Sequence, residues 1–306
     1  MSLAALCEEL ARELRERVLP ALGSHAGRLH GEQQASGGDV TFAIDEEAER
    51  FVASFLQGRR VAFYSEDRGL VEATGARDVL VVDPIDGTRP AMAGLESACV
   101  SVAGAPLPDP AMGDVSVGVV VEIKSGAAFV AERGRGVRAD VPLRLSENTS
   151  LDRLFLTYGL RGRPARPTME VLGDIVDRCS VGGGTFELGS ATYDMTRLLT
   201  GQLDAYVEPG PELVAEVPGM REAFERVGHG AVLNNSPYDL AAGALLLEEG
   251  GAILTDCAGR SLDARPLLGS GAEYQMSVLA CANAELHRGL LAEVRRGLER
   301  LRARGA

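Results

Sequence analysis

The sequence has no tryptophan and a single lysine, Lys124, so arginine carries nearly all of its positive charge. A Walker A phosphate loop needs Gly before its Lys, and Ile123 stands there instead, which excludes that motif. A Schiff-base lysine mechanism is equally poorly provided for. Cysteine is sparse: Cys7, Cys99, Cys179, Cys257 and Cys281 are odd in number and make no CxxC pair. They fit a reducing cytoplasm and supply neither a disulfide framework nor a structural zinc site. The four histidines are scattered and form no HExxH. No apolar run is long enough to cross a membrane, and residues 3–22 are charged and amphipathic, unlike a secretion signal.

What is plentiful is acid. Across 306 residues, 44 Asp and Glu outnumber 31 Lys and Arg, for a net charge of −13. Such a surface repels nucleic acid. It also repels an anionic substrate, unless clustered carboxylates hold divalent cations that bind it. A 45% hydrophobic and 25% charged composition suits a globular protein with a sizeable core, built as one large α/β domain or two packed halves.

Leu3, Leu6, Leu10, Leu14 and Val18 recur at helical spacing, and Pro20 and Gly23 end that helix. Residues 33–39 read as a polar, glycine-rich loop. Asp45 is placed to cap a second helix reaching Leu56, with Ala48, Val52 and Phe55 inward. Residues 61–64 and 79–82 read as strands, the second wholly apolar. Residues 98–104, 115–123 and 127–132 suggest an antiparallel sheet, and 142–149 a boundary between halves 1–148 and 149–306. Beyond it come helices at 168–177, 190–199 and 240–249, and strands at 154–158, 204–207, 252–255 and 276–280. A Leu/Arg-rich helix ends the chain. Segment 209–237 is mixed. Its Val214, Val217, Met220 and Phe224 make one apolar helical face, which favours a cap over a pocket or a subunit contact over a surface insertion, with plain packing against the core as the alternative for the stripe.

The most informative segment is Asp83-Pro84-Ile85-Asp86-Gly87-Thr88, directly after the apolar strand. Pro84 fixes its own φ and restricts Asp83, while Gly87 permits a turn that other residues resist. The loop can aim two carboxylates and the Ile85 carbonyl at one point, an oxygen-only set suited to Mg²⁺. Taken alone, Asp-Pro and Asp-Gly are also ordinary turn pairs. Ser65-Glu66-Asp67 adds acid after another strand, where Glu66 alone would be a solvated charge. Asp239 opens the helix at 240–249, where alone it would be an N-cap.

Together these segments resemble the inositol monophosphatase-like superfamily of metal-dependent, lithium-sensitive phosphatases. Asp83 to Thr88 matches its Asp-Pro-Ile-Asp-Gly-Thr signature, and Pro237 to Gly251 resembles its second signature, with Tyr238 where the family usually has Trp. Asp39-Val-Thr and Asp45 match a further segment shifted by one residue, and Gly189-Ser190-Ala191 is similar to a phosphate-side turn. Gln33-Gln34 stands near the place of a lysine common in the family.

The resemblance implies an α/β fold, a layered αβαβα sandwich. Its N-terminal half would be α+β with most metal ligands, and its C-terminal half α/β with Asp239 and the substrate side. It implies Mg²⁺ held by Glu66, Asp83, Asp86, Asp239 and the Ile85 carbonyl. Thr88, with Glu66 and Asp83, would carry catalysis by orienting the attacking water. Gly87, Thr88, Ser190 and Ala191 would cradle phosphate, and Glu208 would accept a substrate hydroxyl. A homodimer and a small phosphomonoester substrate are implied, with inositol monophosphate the default.

Arg89, just after the signature, can touch a second anionic group or remain a surface arginine, and Pro90 removes a backbone donor beside it. A nucleotide-type, histidinol or specialised-metabolite phosphate, or a sugar bisphosphate, therefore stays open as substrate. The alternative from another class is a catalytically silent binding protein with the same fold.

Overall fold

The computed structural model describes residues 1–24, 26–28, 30–34 and 40–305. Helix α1 (Leu3–Val18) is capped by the Ser2 hydroxyl and buries Leu6, Leu10, Leu14 and Val18, the stripe read from the sequence. Strand β1 (His30–Gln34) pairs antiparallel with β2 (Val40–Phe42), so Gln33 and Gln34 belong to a strand rather than to the loop expected there. Residues 35–39, with Asp39 of the shifted motif, lie outside the described residues. Helix α2 (Ala43–Leu56) starts earlier than expected. Its N-cap is Phe42, and Asp45 sits in the third helical position, where its Oδ2 accepts the Phe42 N–H at 2.9 Å. Asp45 is thus not the cap, and its other oxygen faces elsewhere.

Next come β3 (Ala62–Ser65), β4 (Gly69–Val71), β5 (Asp78–Asp86), the short helix α3 (Thr88–Ala93), β6 (Cys99–Pro106), β7 (Val117–Glu122), β8 (Ala128–Glu132) and β9 (Val137–Ala139). They form a seven-stranded sheet in the order β4-β3-β5-β6-β7-β8-β9. β3 and β5 are parallel, and the other pairs are antiparallel. Val79 and Val81 of β5 enter the core on one face, Leu80 and Val82 that on the other. Burial on both faces is why this strand is continuously apolar rather than alternating.

The rest of the chain adds β10 (Phe155–Tyr158), α4 (Ala165–Cys179), β11 (Gly184–Phe186), α5 (Ala191–Leu199), β12 (Ala205–Glu208), α6 (Gly210–Glu216), α7 (Met220–Val227), α8 (Pro237–Glu249), β13 (Ile253–Thr255), β14 (Val278–Cys281) and α9 (Ala284–Gly305). Their five strands run in the order β11-β10-β12-β14-β13, with β10 parallel to both of its neighbours.

Helices α1 and α2 cover one face of the large sheet, and α5 and α8 fill the space between the two sheets. Helices α4, α6, α7 and α9 cover the far face of the small sheet. The result is the αβαβα sandwich. Its middle layer explains why α8 is apolar on nearly every side: every residue from Leu240 to Leu247 is buried. Gly118 of β7 lets that helix come close, since a Cβ there would lie 2.8 Å from the Ala242 carbonyl oxygen.

The apolar stripe of segment 209–237 packs into the outer core rather than over a cavity. Leu213, Val217 and Phe224 are buried in the outer core, and Val214 and Met220 pack against it. The apolar face read from the sequence is used for packing. All five cysteines are buried and unpaired. No helix among the described residues is long and apolar enough to cross a membrane.

Candidate active site

Strand β5 runs on past the end of its parallel neighbour β3 and itself carries Asp83 and Asp86, with a register irregularity between them in place of the loop expected there, while Glu66 follows β3 directly. Asp83 and Asp86 are buried, and Asp239 joins them from the first turn of α8. One carboxylate oxygen from each of the three lies within 4.8 Å of the others. Backbone N–H groups orient all three. Ile85 N–H donates to Asp83 Oδ1 at 3.1 Å, Thr192 N–H to Asp86 Oδ2 at 2.6 Å, and Ser236 N–H to Asp239 Oδ2 at 2.6 Å. Thr192 also donates its hydroxyl to the Asp239 carbonyl at 2.7 Å, so one α5 residue ties both halves of the cluster together.

Gly87 makes this approach possible. Its φ is +90°, and a Cβ there would meet the Ser97 carbonyl oxygen at 2.6 Å and Ser190 Cβ at 2.9 Å. The site is therefore closed by α5 pressing on the signature turn.

Like charges this close cannot all stay ionised without a counter-charge. Burial, then repulsion from Asp86, Glu66 and Asp239, holds Asp83 well above the usual carboxylate range. Burial raises Asp86 as well, although the Thr192 N–H opposes the shift, and burial with repulsion from Asp86 raises Asp239. Every donor in the cluster is a hard oxygen, with no His or Cys among them, which fits Mg²⁺ better than a transition metal.

A cavity opens over the cluster, lined by Asp45, Glu66, Asp67, Ile85, Thr88 and Arg89 among others. Thr88 donates its hydroxyl toward Asp45 Oδ1 at 3.2 Å and lies equally close to the Ile85 carbonyl. Burial first, and repulsion from Asp67, push the Asp45 carboxyl up to about 7, against the Phe42 N–H that favours its charged form. Behind it, Glu49 accepts the Ser65 hydroxyl at 2.8 Å and is also pushed up to about 7 by burial. Arg89 lies in the wall of the cavity, its guanidinium 5.3 Å from the Phe42 ring centre.

A second cavity adjoins the first and shares Asp86, Arg161, Gly189 and Asp239 with it. Ser190 and Ala191 line it, as does Glu208. Ser190 also works as the α5 N-cap, its Oγ accepting the Tyr193 N–H at 3.1 Å. Glu208 is buried and already engaged: Tyr206 donates its hydroxyl to Oε1 at 2.7 Å, and Arg163 forms an ion pair with Oε2.

The structure thus gathers Glu66, Asp83, Ile85, Asp86, Gly87, Thr88, Arg89 and Asp239 around one cavity, with Ser190, Ala191 and Glu208 at its neighbour. Glu66 lines the cavity but is not part of the tight triad. Sequence reasoning missed Asp45 as partner of Thr88, though the shifted motif contained it. It also missed Arg161 and Arg163, whose loop carries no local signal.

A layered sandwich of two sheets and helices is the fold of the inositol monophosphatase structures. The chain belongs to the inositol monophosphatase family, whose profile it matches over residues 2–299. It is 27% identical to the fructose-1,6-bisphosphatase/inositol-1-monophosphatase of Methanothermobacter thermautotrophicus, covering 92% of each chain. It is 25% identical to Nus factor SuhB of Vibrio cholerae, over 81% of this chain and 83% of that one. Among solved structures, the Thermotoga maritima IMPase superposes with a TM-score of 0.69 at 22% identity, covering 96% of each chain. The Bartonella henselae extragenic suppressor protein suhB superposes with a TM-score of 0.71 at 20% identity, over 96% of this chain and 98% of that one.

Proposed function

We propose that the protein is a Mg²⁺-dependent phosphomonoester hydrolase acting on a small phosphorylated metabolite, with inositol monophosphate the default substrate. The observation that carries this reading is the convergence of the Asp83, Asp86 and Asp239 oxygens within 4.8 Å, beside the Thr88–Asp45 hydrogen bond. Asp83, Asp86 and Asp239 would hold Mg²⁺ with Glu66 and the Ile85 carbonyl. When bound, the cations would neutralise the carboxylates, bind phosphate oxygens and stabilise the leaving oxygen.

The chain's own part is positioning and proton movement. A water lodged against Thr88 donates a proton to its Oγ1, and Thr88 passes its own proton to Asp45. The water oxygen bonds to phosphorus, the ester P–O bond breaks, and the departing oxygen takes a proton from solvent to leave as an alcohol. A carboxyl pushed up to about 7 is suited to receive a proton near neutrality. Glu66, in the cavity wall, helps to orient the water. The Gly87 and Thr88 N–H groups and the start of α5 hold phosphate oxygens. Unpaired cysteines throughout favour a reducing compartment such as the cytoplasm.

The test is phosphate release from a panel of inositol monophosphate, fructose 1,6-bisphosphate, histidinol phosphate and nucleoside monophosphates, with Mg²⁺, with EDTA and with added Li⁺. Release that needs Mg²⁺ supports the reading. Mg²⁺ binding without release from any member points to a specialised substrate outside the panel, and no Mg²⁺ binding favours a silent binding protein.

A further inference from the structure

We propose that Thr192 is a positioning residue for the carboxylate cluster. Its hydroxyl fixes the span between Asp86 and Asp239, and so raises the preference of the cluster for Mg²⁺ over a larger cation such as Ca²⁺. The inference rests on the metal-binding reading above and deepens it.

Asp86 and Asp239 reach the cluster from different layers. Asp86 ends β5 of the large sheet, and Asp239 stands in the first turn of α8, between the two sheets. Asp83 and Asp239 are oriented by backbone N–H groups of their own turns, those of Ile85 and Ser236. Neither of those bonds sets the distance from β5 to α8. Thr192 does, because it holds one group on each side. Its N–H donates to Asp86 Oδ2 at 2.6 Å, and its hydroxyl to the Asp239 carbonyl at 2.7 Å. The N–H is available because Thr192 lies in the first turn of α5, where amides have no intrahelical acceptor.

Helix α5 is a firm post for this tie. Its residues from Ala191 to Thr196 are all buried, Thr192 completely so. At the far end Arg197 forms an ion pair with the buried Glu122 of β7, and its guanidinium lies 4.3 Å from the centre of the Tyr193 ring. Ser125 donates its hydroxyl to the other Glu122 oxygen. A turn beyond Thr192, α5 meets α8 so closely that a Cβ on Gly243 would lie 2.4 Å from Met195 Sδ.

Asp86 repels Asp239, so without a cation the two carboxylates push apart. The Thr192 hydroxyl works against that push. Mg²⁺ demands a near-octahedral set of oxygens at about 2.1 Å, whereas Ca²⁺ accepts looser sets at about 2.3–2.6 Å. A span that is held short therefore favours the smaller ion, and a span that drifts favours the larger. A carbonyl has two lone pairs, and inside a helix one of them keeps its intrahelical bond. Losing the Thr192 hydroxyl thus costs the fold little and the span much.

The experiment is titration calorimetry of Mg²⁺ and of Ca²⁺ into the metal-stripped full chain, with thermal melts in EDTA and in Mg²⁺. Wild type, Thr192→Val and Thr192→Ser are measured side by side. Thr192→Val should weaken Mg²⁺ binding by about 10- to 100-fold, the usual cost of losing a residue that orients a metal ligand. Ca²⁺ binding should weaken far less, so the ratio of the two affinities falls. Thr192→Ser keeps the hydroxyl and should restore that ratio. In EDTA the Tm of Thr192→Val should stay near that of wild type, and only the Mg²⁺-loaded Tm should drop. Equal losses for both ions, equal falls in Tm with and without Mg²⁺, or a Thr192→Ser variant that behaves like Thr192→Val would each reveal a merely structural hydrogen bond and overturn the proposal.

Should Thr192→Val fail to fold, Thr192→Ala removes the same hydroxyl without added bulk, and Thr192→Ser differs from it by that hydroxyl alone. The same ratio of affinities then decides. None of these measurements needs turnover, so a chain that binds Mg²⁺ and hydrolyses nothing still tests the inference apart from the phosphatase reading. A wild type that binds no Mg²⁺ ends the inference.

Discussion

Thr88 donates its hydroxyl to Asp45 across 3.2 Å, joining the first turn of α3 to the first turn of α2. The hydroxyl has one proton, and the Ile85 carbonyl competes for it at the same distance. If the Asp45 bond moves the proton, Thr88→Val should lower kcat by about 10²- to 10⁴-fold with little change in KM. Thr88→Ser should keep much of the activity. Asp45→Asn should match Thr88→Val, and the double variant should be no worse than either, because the two act as one unit. Independent, multiplying losses in steady-state kinetics would show that they do not.

Asp83 is the most crowded carboxylate, repelled by Asp86, Glu66 and Asp239. Asp83→Asn removes that repulsion and a proposed metal ligand together. The metal-free variant should melt a few degrees above wild type, about 1 kcal/mol of relief. It should lose the rise in Tm that Mg²⁺ gives the wild type, and phosphate release should fall to background. Thermal scans with Mg²⁺ and with EDTA test both halves, and wild-type turnover by the variant would remove Asp83 from the metal site.

The metal-free protein should lose stability as pH rises. Asp45 and Glu49 are pushed from ordinary values of 3.8 and 4.5 up to about 7 in the fold, mainly by burial. The folded state therefore holds protons that the unfolded state releases. Their stabilising contribution is complete below about pH 4 and is lost as pH climbs through 7. In EDTA, Tm should fall between pH 5 and pH 8, and Mg²⁺ should raise Tm more at pH 8 than at pH 5. A Tm in EDTA that climbs across this range would contradict the burial of these carboxylates.

Gly87→Ala combines a backbone at φ +90° with a Cβ only 2.6 Å from the Ser97 carbonyl oxygen. Strain and overlap together should cost about 2–4 kcal/mol in urea unfolding. Because α5 would be pushed off the turn, the Thr192 bond to Asp86 should break and Mg²⁺ affinity should drop. An unchanged midpoint would mean that the turn relaxes freely.

Local patterns in the chain already determined much of this protein. The stripe Leu6, Leu10, Leu14, Val18 became the buried face of α1, because helical period and burial are the same information. The apolar run before Asp83 became a central strand, and the carboxylates that follow it emerged at its carboxyl end. Helix starts were less legible. Asp45 and Asp239 looked like caps, yet each stands at the third helical position, behind Phe42 and Ser236. Caps and third-position acids differ by only a few residues of register, and both favour the positive end of a helix.

Tertiary structure alone decided the rest. The pairing of Thr88 with Asp45, the grip of Thr192 on Asp86 and Asp239, and the lock of Arg163 on Glu208 join residues far apart in sequence. No periodicity encodes such contacts, because they depend on how two sheets and the helices between them stack. The same stacking decided, between a cap, a subunit contact and plain packing, that the apolar stripe of segment 209–237 packs into the outer core. The chain's motifs named the carboxylates, and the fold chose their neighbours, since only close approach in a buried site sets charge against charge.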